Sequence, residues 1–405
     1  MSNTSPEHSP PPFTEIGYHA AAATTTHDET ARFNFIGGVY RQLAKLAPGN
    51  RAAYNARVAP RLKQDLGRAP EDRHEVHRGM KRDPFWQWWS ALRRNNMEYR
   101  WAAGRSAVLR QLDAVNATVA DLNAVAPERL KLDASVQTPP YIASVDNHLM
   151  PGSYQTEVVP GDAFAGAIYD CGGLFLSTAG FFGPYSDGAG RGLAGRIKDN
   201  LPDFKPRRIL EIGCTVGHTL LPFAELFPQA EVVGVDIGAP VLRYAHARAT
   251  ALGFTNVSFA QMDGEALSFP DGHFDLIFTS MFLHETSGKA LPRILRECHR
   301  VLAKDGLNLH LELPAFHEPM DLIEQCMREW DCYYNGEPFW RTLNDLSLAD
   351  ALTTAGFARS DFVSFGLDAR RADGSLGGAP MANASAAKRR QTWTISGAWK
   401  RLPSA

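Results

Sequence analysis

The run Arg208-Ile-Leu-Glu-Ile-Gly-Cys-Thr-Val-Gly217 constrains this chain more than any other. Large apolar residues lead into Glu211, Gly213 and Gly217 then punctuate a turn, and a helix-like stretch follows from Leu220 to Phe227. A buried strand that stops at glycines and resumes as a helix lets backbone approach a ligand that a Cβ would push away. Dinucleotide-binding chains use such a turn with Gly-x-Gly-x-x-Gly opening onto a pyrophosphate. Here the spacing is Gly-x-x-x-Gly, and an acid stands in the strand end. That acid would repel a pyrophosphate but could pair with an amino-acid ammonium. A hydride-transferring dehydrogenase is therefore a poor fit.

The rest of this half of the chain is spaced from that turn. Ala230 to Ile237 is a second apolar strand ending in Asp236, about twenty residues on, where an acid accepts hydrogen bonds from ribose hydroxyls. Val257 to Glu265 is a third strand running into Asp263, Phe274 to Ser280 a fourth, and Leu307 to Leu313 a fifth. Helix-like segments, Pro240 to Ala251 and Ala290 to Leu302, lie between them. Alternation of this kind predicts a doubly wound α/β sheet with its ligand at the carboxyl ends of the strands. Each acid alone reads equally as a helix cap, and a lone Gly-x-x-x-Gly is usually plain loop. Their order and spacing together point to a bound cofactor.

This combination resembles the class I S-adenosylmethionine-dependent methyltransferases. The stretch Met262-Asp-Gly-Glu-Ala-Leu-Ser-Phe-Pro-Asp-Gly-His-Phe-Asp275 is similar to the ubiquinone/menaquinone-type small-molecule branch. The resemblance spans roughly residues 201 to 401. It implies a Rossmann-like seven-stranded sheet with a closing antiparallel hairpin, and S-adenosyl-L-methionine as cofactor. By that likeness Glu211, Gly213 and Gly217 cradle the methionine part, with Cys214 a small side chain beside the ligand. Asp236 holds the ribose with Ile237 next to it, and Asp263 meets the adenine amino group with Gly264 beside it. Many relatives have a further glycine where this chain has Thr215, which narrows the loop.

Ahead of this core, residues 1–28 are poor in large apolar groups and are expected to be a disordered tail. Residues 29–138 read as a helical domain, with Phe33, Ile36, Tyr40 and Leu43, and later Phe85, Trp86, Trp89 and Leu92, at near-helical spacing. Between Arg41 and Arg110 stand 16 Lys/Arg against 6 Asp/Glu, although the whole chain carries a net charge of −2. Basic residues among tryptophans suit a polyanion. An even spread without a tight run favours a helical bundle with a solvated basic face, so a nucleic-acid partner is not expected. Residues 139–200 form a connector or lid, within which Tyr169, in Gly166-Ala-Ile-Tyr-Asp170, resembles a pre-core cofactor contact. Residues 318–340 read as an inserted apolar helix: a lid, a homodimer face or core. Residues 361–367 and 392–400 alternate as the closing hairpin, and the Gly/Ala/Ser-rich stretch 372–390 between them reads as mobile.

No apolar run approaches the roughly 18 residues of a membrane span. The five cysteines are scattered without a C-x-x-C pair and read as reduced thiols of a cytoplasmic protein, so neither a disulfide frame nor a metal site is expected. Methyl transfer from a sulfonium is an in-line displacement in which the protein supplies alignment and a dry pocket. A base is needed only where the acceptor must lose a proton. His284, in Thr279-Ser-Met-Phe-Leu-His-Glu285 just past the fourth strand, is the candidate base or positioning group, or else purely structural, with Glu285 to orient it or to cap the next helix; His148 and Tyr154 are weaker candidates. The Asn/Asp-Pro-Pro-Tyr/Phe motif of many nucleobase and glutamine amide methyltransferases is absent after that strand. The expected activity is therefore methylation of a small organic acceptor at oxygen or carbon. The alternatives are an RNA methyltransferase clamping with its basic region, and a cofactor-binding protein without transferase activity.

Overall fold

The structure is a computed structural model that describes residues 17–173, 183–314, 316, 320–370 and 393–401. The start of the expected tail (1–16), part of the glycine-rich connector (174–182), three residues opening the insert (317–319) and the stretch 372–390 lie outside the described residues. The strands are β1 (Leu130–Lys131), β2 (Arg208–Ile212), β3 (Glu231–Asp236), β4 (Val257–Gln261), β5 (Phe274–Ser280), β6 (Leu302–Glu312), β7 (Phe362–Leu367) and β8 (Trp393–Trp399). They form one sheet in the order β1-β4-β3-β2-β5-β6-β8-β7. From β1 to β6 all pairings are parallel, and β8 runs antiparallel to both β6 and β7. This is the expected doubly wound sheet with its closing hairpin. One strand more than expected is present, because Leu130–Lys131 of the helical region adds a short edge beside β4.

Strand alternation divides the core. Ile209 faces one layer with Val232, Phe259, Leu276 and Phe278, covered by the Gly188–Asn200, Leu220–Leu226 and Ala239–Ala251 helices. Leu210 and Ile212 face the other with Val233, Val235 and Ile277, covered by the Leu291–Val301 and Leu348–Ala355 helices. After β2 the chain winds outward through β3 and β4, then returns to β5 on the far side. This reversal opens a crevice at the carboxyl ends of β2 and β5.

The amino-terminal region is helical as expected, built on the His27–Leu46 and Pro84–Leu109 helices. A capping box starts the first: Thr26 Oγ1 accepts from Glu29 N–H, and Glu29 accepts from Thr26 N–H. The order begins well before residue 28, which corrects the expected tail. Ala21 and Ala23 are buried, and His19 Nε2 bonds Asp170 at 2.8 Å. Trp86, Trp89 and Trp101 point inward, while Trp88 is exposed.

The insert is core between this region and the sheet. It forms two short helices, Leu322–Arg328 and Trp330–Tyr334. Ile323, Cys326 and Trp330 pack against Leu43, Val76, Trp86 and Trp89. Acids of this segment and just beyond it answer part of the basic surplus: Asp321 pairs with Arg51, Glu329 and Asp345 with Arg73, and Asp331 with Arg93. The basic side chains thus serve to dock one part of the chain on another. Trp330 is fully buried, its ring edge-on to Trp89 and its Nε1 donating to Ser90 Oγ at 3.0 Å. Trp330→Ala is expected to cost about 3–5 kcal/mol of stability, read as a lowered urea midpoint. An unchanged midpoint would show that the insert is not docked in this way.

Candidate functional site

The glycine turn leaves β2 with Gly213 at φ 76° and Gly217 at φ 79°, left-handed conformations that suit glycine. A Cβ on Gly213 would stand 2.3 Å from the Phe282 ring. Gly213 and Cys214 N–H both donate to Val235 O, at 2.8 and 3.1 Å, which ties the turn to β3. Thr215 lies at φ 45°, a backbone where a β-branched residue is strained. It is held there by its N–H donating to Asp236 Oδ2 at 2.9 Å and by a hydrogen bond with Tyr169. The Tyr169 ring stacks on His218 at 5.8 Å and stands edge-on to Tyr154. Tyr169 therefore covers the turn at the residue where the chain departs from its relatives.

The acids at the strand ends are buried. Glu211 is 2% exposed, and its Oε2 has no hydrogen-bond partner among the described residues. Burial first, and then the neighbouring Asp236, pushes its carboxyl well above the usual carboxylate range. An orphaned buried carboxylate oxygen of this kind fits a ligand ammonium. Asp236 Oδ1 accepts from Gly238 N–H at 2.9 Å. Burial raises the Asp236 carboxyl and the backbone donors of Gly238 and Thr215 oppose it, leaving it at about 6. Each of its oxygens keeps a lone pair for a ligand hydroxyl. Ile237 follows at the rim, its carbonyl accepting from Gln261 Nε2 at 3.1 Å. Asp263 is half-buried beyond β4 and accepts from Glu265 N–H at 2.9 Å. Gly264 lies against Ile212, where a Cβ would come within 3.1 Å.

Cys214 needs correction. Its side chain belongs to the core beneath the turn, packed with Leu220 and against Gly234. Only its backbone serves the turn.

Beyond β5 the chain makes a second polar assembly. Glu312, at the end of β6, accepts from Phe282 N–H (3.1 Å) and Leu283 N–H (2.7 Å) through Oε1, and its Oε2 bonds His284 Nδ1 at 2.6 Å. That fixes His284, which is fully buried against Trp340. Burial lowers the His284 imidazole, but Glu312, Glu337 and Glu285 outweigh it and raise it to about 9. Glu285 accepts from the Tyr154 hydroxyl at 2.9 Å and faces His148 Nε2 at 3.1 Å. His148 Nδ1 in turn faces Glu337 Oε1. His284 and Glu285 lie in one cluster with the weaker candidates His148 and Tyr154, but Glu312 and not the expected Glu285 orients His284. Glu312 and Glu337 escaped the sequence reading. An acid closing the buried strand Leu307-Asn-Leu-His-Leu-Glu312 was a usable signal; Glu337, in a turn far along the chain, offered none.

Residues 209–306 match the family model described as a methyltransferase domain. The demethylmenaquinone methyltransferase of Thermus thermophilus is 38% identical over 109 residues, 27% of this chain and 48% of that one. The ubiquinone/menaquinone biosynthesis C-methyltransferase UbiE of Yersinia enterocolitica is 35% identical over 129 residues, 31% of this chain and 49% of that one. The chain carries a class I S-adenosylmethionine-dependent methyltransferase domain. It spans about half the length of the curated relatives it matches. Among solved structures, the YcgJ protein of Bacillus subtilis is 22% identical with a TM-score of 0.32, over 52% of this chain and 98% of that one.

Two outcomes follow for the methyltransferase domain. Gly213→Val is expected to abolish S-adenosylmethionine binding in calorimetry, since the new side chain collides with Phe282 in a backbone unsuited to it; retained affinity would place the cofactor elsewhere. The ionised form of Asp236 is the better acceptor of ligand hydroxyls, and it is lost as pH falls through about 6. Affinity should drop by up to about tenfold per pH unit below that point, and Asp236→Asn should flatten the step. A wild-type affinity flat from pH 8 to about 5 would sink the assignment.

Proposed function

We propose that the protein transfers a methyl group from S-adenosylmethionine to a small organic acceptor, at oxygen or carbon. The observation that carries this reading is the buried Glu211 carboxylate, with its unpartnered oxygen, beside Asp236 in a domain that matches the methyltransferase model. The bound cofactor would supply a methyl on a sulfonium, already reactive toward an aligned nucleophile. The chain's own part is alignment and exclusion of water. Glu211 would take the ammonium, Asp236 the ribose hydroxyls, and Asp263 with Gly264 the adenine edge. Tyr169 would close over the turn. The names of the two bacterial relatives, a demethylmenaquinone and a ubiquinone/menaquinone C-methyltransferase, favour an apolar, ring-bearing acceptor.

The acceptor end would be set by His284 and Glu285 with Tyr154 and Trp340 around them. His284 keeps its proton near neutral pH because carboxylates surround it, and its Nδ1 is committed to Glu312. It is therefore a positioning residue in this reading, and proton acceptance does not fall to it. The RNA alternative loses support because the arginines that would clamp phosphate, among them Arg51, Arg57, Arg68, Arg73 and Arg93, already pair with acids.

Incubation with methyl-labelled S-adenosylmethionine and a fractionated cell extract tests the reading. Label is expected in the organic-extractable fraction, and Asp236→Ala should weaken cofactor binding at least tenfold, about 1.4 kcal/mol. Label confined to RNA would transfer the function to the alternative. Binding without label in any fraction would count against transferase activity.

A further inference from the structure

We propose that His148, His284, Glu285 and Glu337 form a binding site for a divalent transition-metal ion. One ligand atom from each, an imidazole nitrogen or a carboxylate oxygen, can be chosen so that all four lie within 4.8 Å of one another. Four ligands held tetrahedrally about 2.1 Å from one ion stand about 3.4 Å apart, so the widest pair must close by about 1 Å or more to hold it. Two imidazoles with two carboxylates suit zinc, cobalt, manganese or iron(II), and the nitrogens disfavour magnesium and calcium. The proposal goes beyond the methyl-transfer reading and does not depend on it.

Two features point to a ligand here. His284 Nε2 and Glu337 Oε2 are buried without a hydrogen-bond partner among the described residues, 3.7 Å apart and turned into the cluster, while Glu337 Oε1 meets His148 Nδ1. Leaving such groups unmet costs about 1–3 kcal/mol each, more when charged.

The backbone, too, is bent to make the cluster. His148 and Leu149 stand at φ 55° and 60°, and Met281, three residues before His284, at φ 51°. Non-glycine residues in this region gather at ligand clamps. The His148 carbonyl is pinned by Trp101 Nε1 at 2.6 Å and by Arg100 at 3.2 Å. Gly336, at φ 70°, lets the Glu337 turn close onto the His148 loop; a Cβ there would stand 2.3 Å from Asp146 O. Around the set lies the outer support expected of a metal site. Glu312 accepts from His284 at Nδ1, so an ion that displaced the Nε2 proton would find that nitrogen aimed into the cluster, and the Tyr154 hydroxyl bonds Glu285. Tyr154 also links the cluster to Tyr169 over the cofactor turn.

Purified full-length protein, stripped with chelator, would be titrated with Co²⁺ and followed by visible absorption, while calorimetry measures S-adenosylmethionine binding separately. Saturable uptake of one ion per chain is expected, with ligand-field bands of a nitrogen- and oxygen-bound ion. His148→Ala and Glu337→Gln should each weaken uptake at least tenfold, with circular dichroism to verify that each variant is folded. Wild-type protein that takes up no Co²⁺ saturably, or two folded variants that bind it as the parent does, would overturn the site and leave an ion-pair network. Because cofactor binding is read independently, loss of either result does not disguise the other.

Discussion

Burial of carboxylates at one edge of the sheet is the constraint that organises this molecule. Glu211 and Asp236 sit at the ends of β2 and β3, Glu312 at the end of β6, and Glu285 and Glu337 on the loops above. Each costs several kcal/mol to withdraw from water unless a partner meets it. Asp236 and Glu312 find backbone N–H groups, which fix the turns after β2 and β5. Glu285 finds Tyr154 and His148. Glu211 Oε2 finds no hydrogen-bond partner among the described residues, and an amino-acid ammonium is the partner proposed for it.

A second buried carboxylate knits the connector to the core. Asp170 accepts from His19, His218 and the Tyr244 hydroxyl at 2.7–2.9 Å, with Arg248 nearby. Burial would raise this carboxyl, but Arg248 and the two histidines hold it well below its usual range. One side chain thus joins the amino-terminal segment, the end of the glycine turn and the helix after β3. Its neighbour Tyr169 is thereby placed over Thr215. The insert does the same on the other side: Trp330 anchors it to the helical region, and the turn that follows delivers Glu337 to the site.

The parallel strands, the two glycines with positive φ, the acids ending β2 and β3 and the closing hairpin were all legible in the chain. Each is a local signal: a run of apolar residues, a glycine at a turn, an acid in the last two positions of an apolar strand. Thr215 was legible as a departure, and its backbone at φ 45° gives the physical content of that departure. The residues that misled were those whose meaning depends on what packs against them. Cys214 read as a ligand neighbour because it lies in the turn, but the turn sends its side chain into the core layer of Ile209. The arginines among tryptophans read as a solvated basic face, because the acids that pair with them stand more than two hundred residues away at Asp321, Glu329, Asp331 and Asp345.

By itself, then, the sequence determined the sheet, its cofactor turn and the family, since hydrophobic period and glycine position act over a few residues at a time. Tertiary structure alone decided the site beyond the turn. His148, His284 and Glu337 are drawn together from three distant parts of the chain by the return from β4 to β5, by the docking of the insert and by the close approach that Gly336 permits. No local pattern encodes that meeting, because it depends on which loops the sheet order sets side by side.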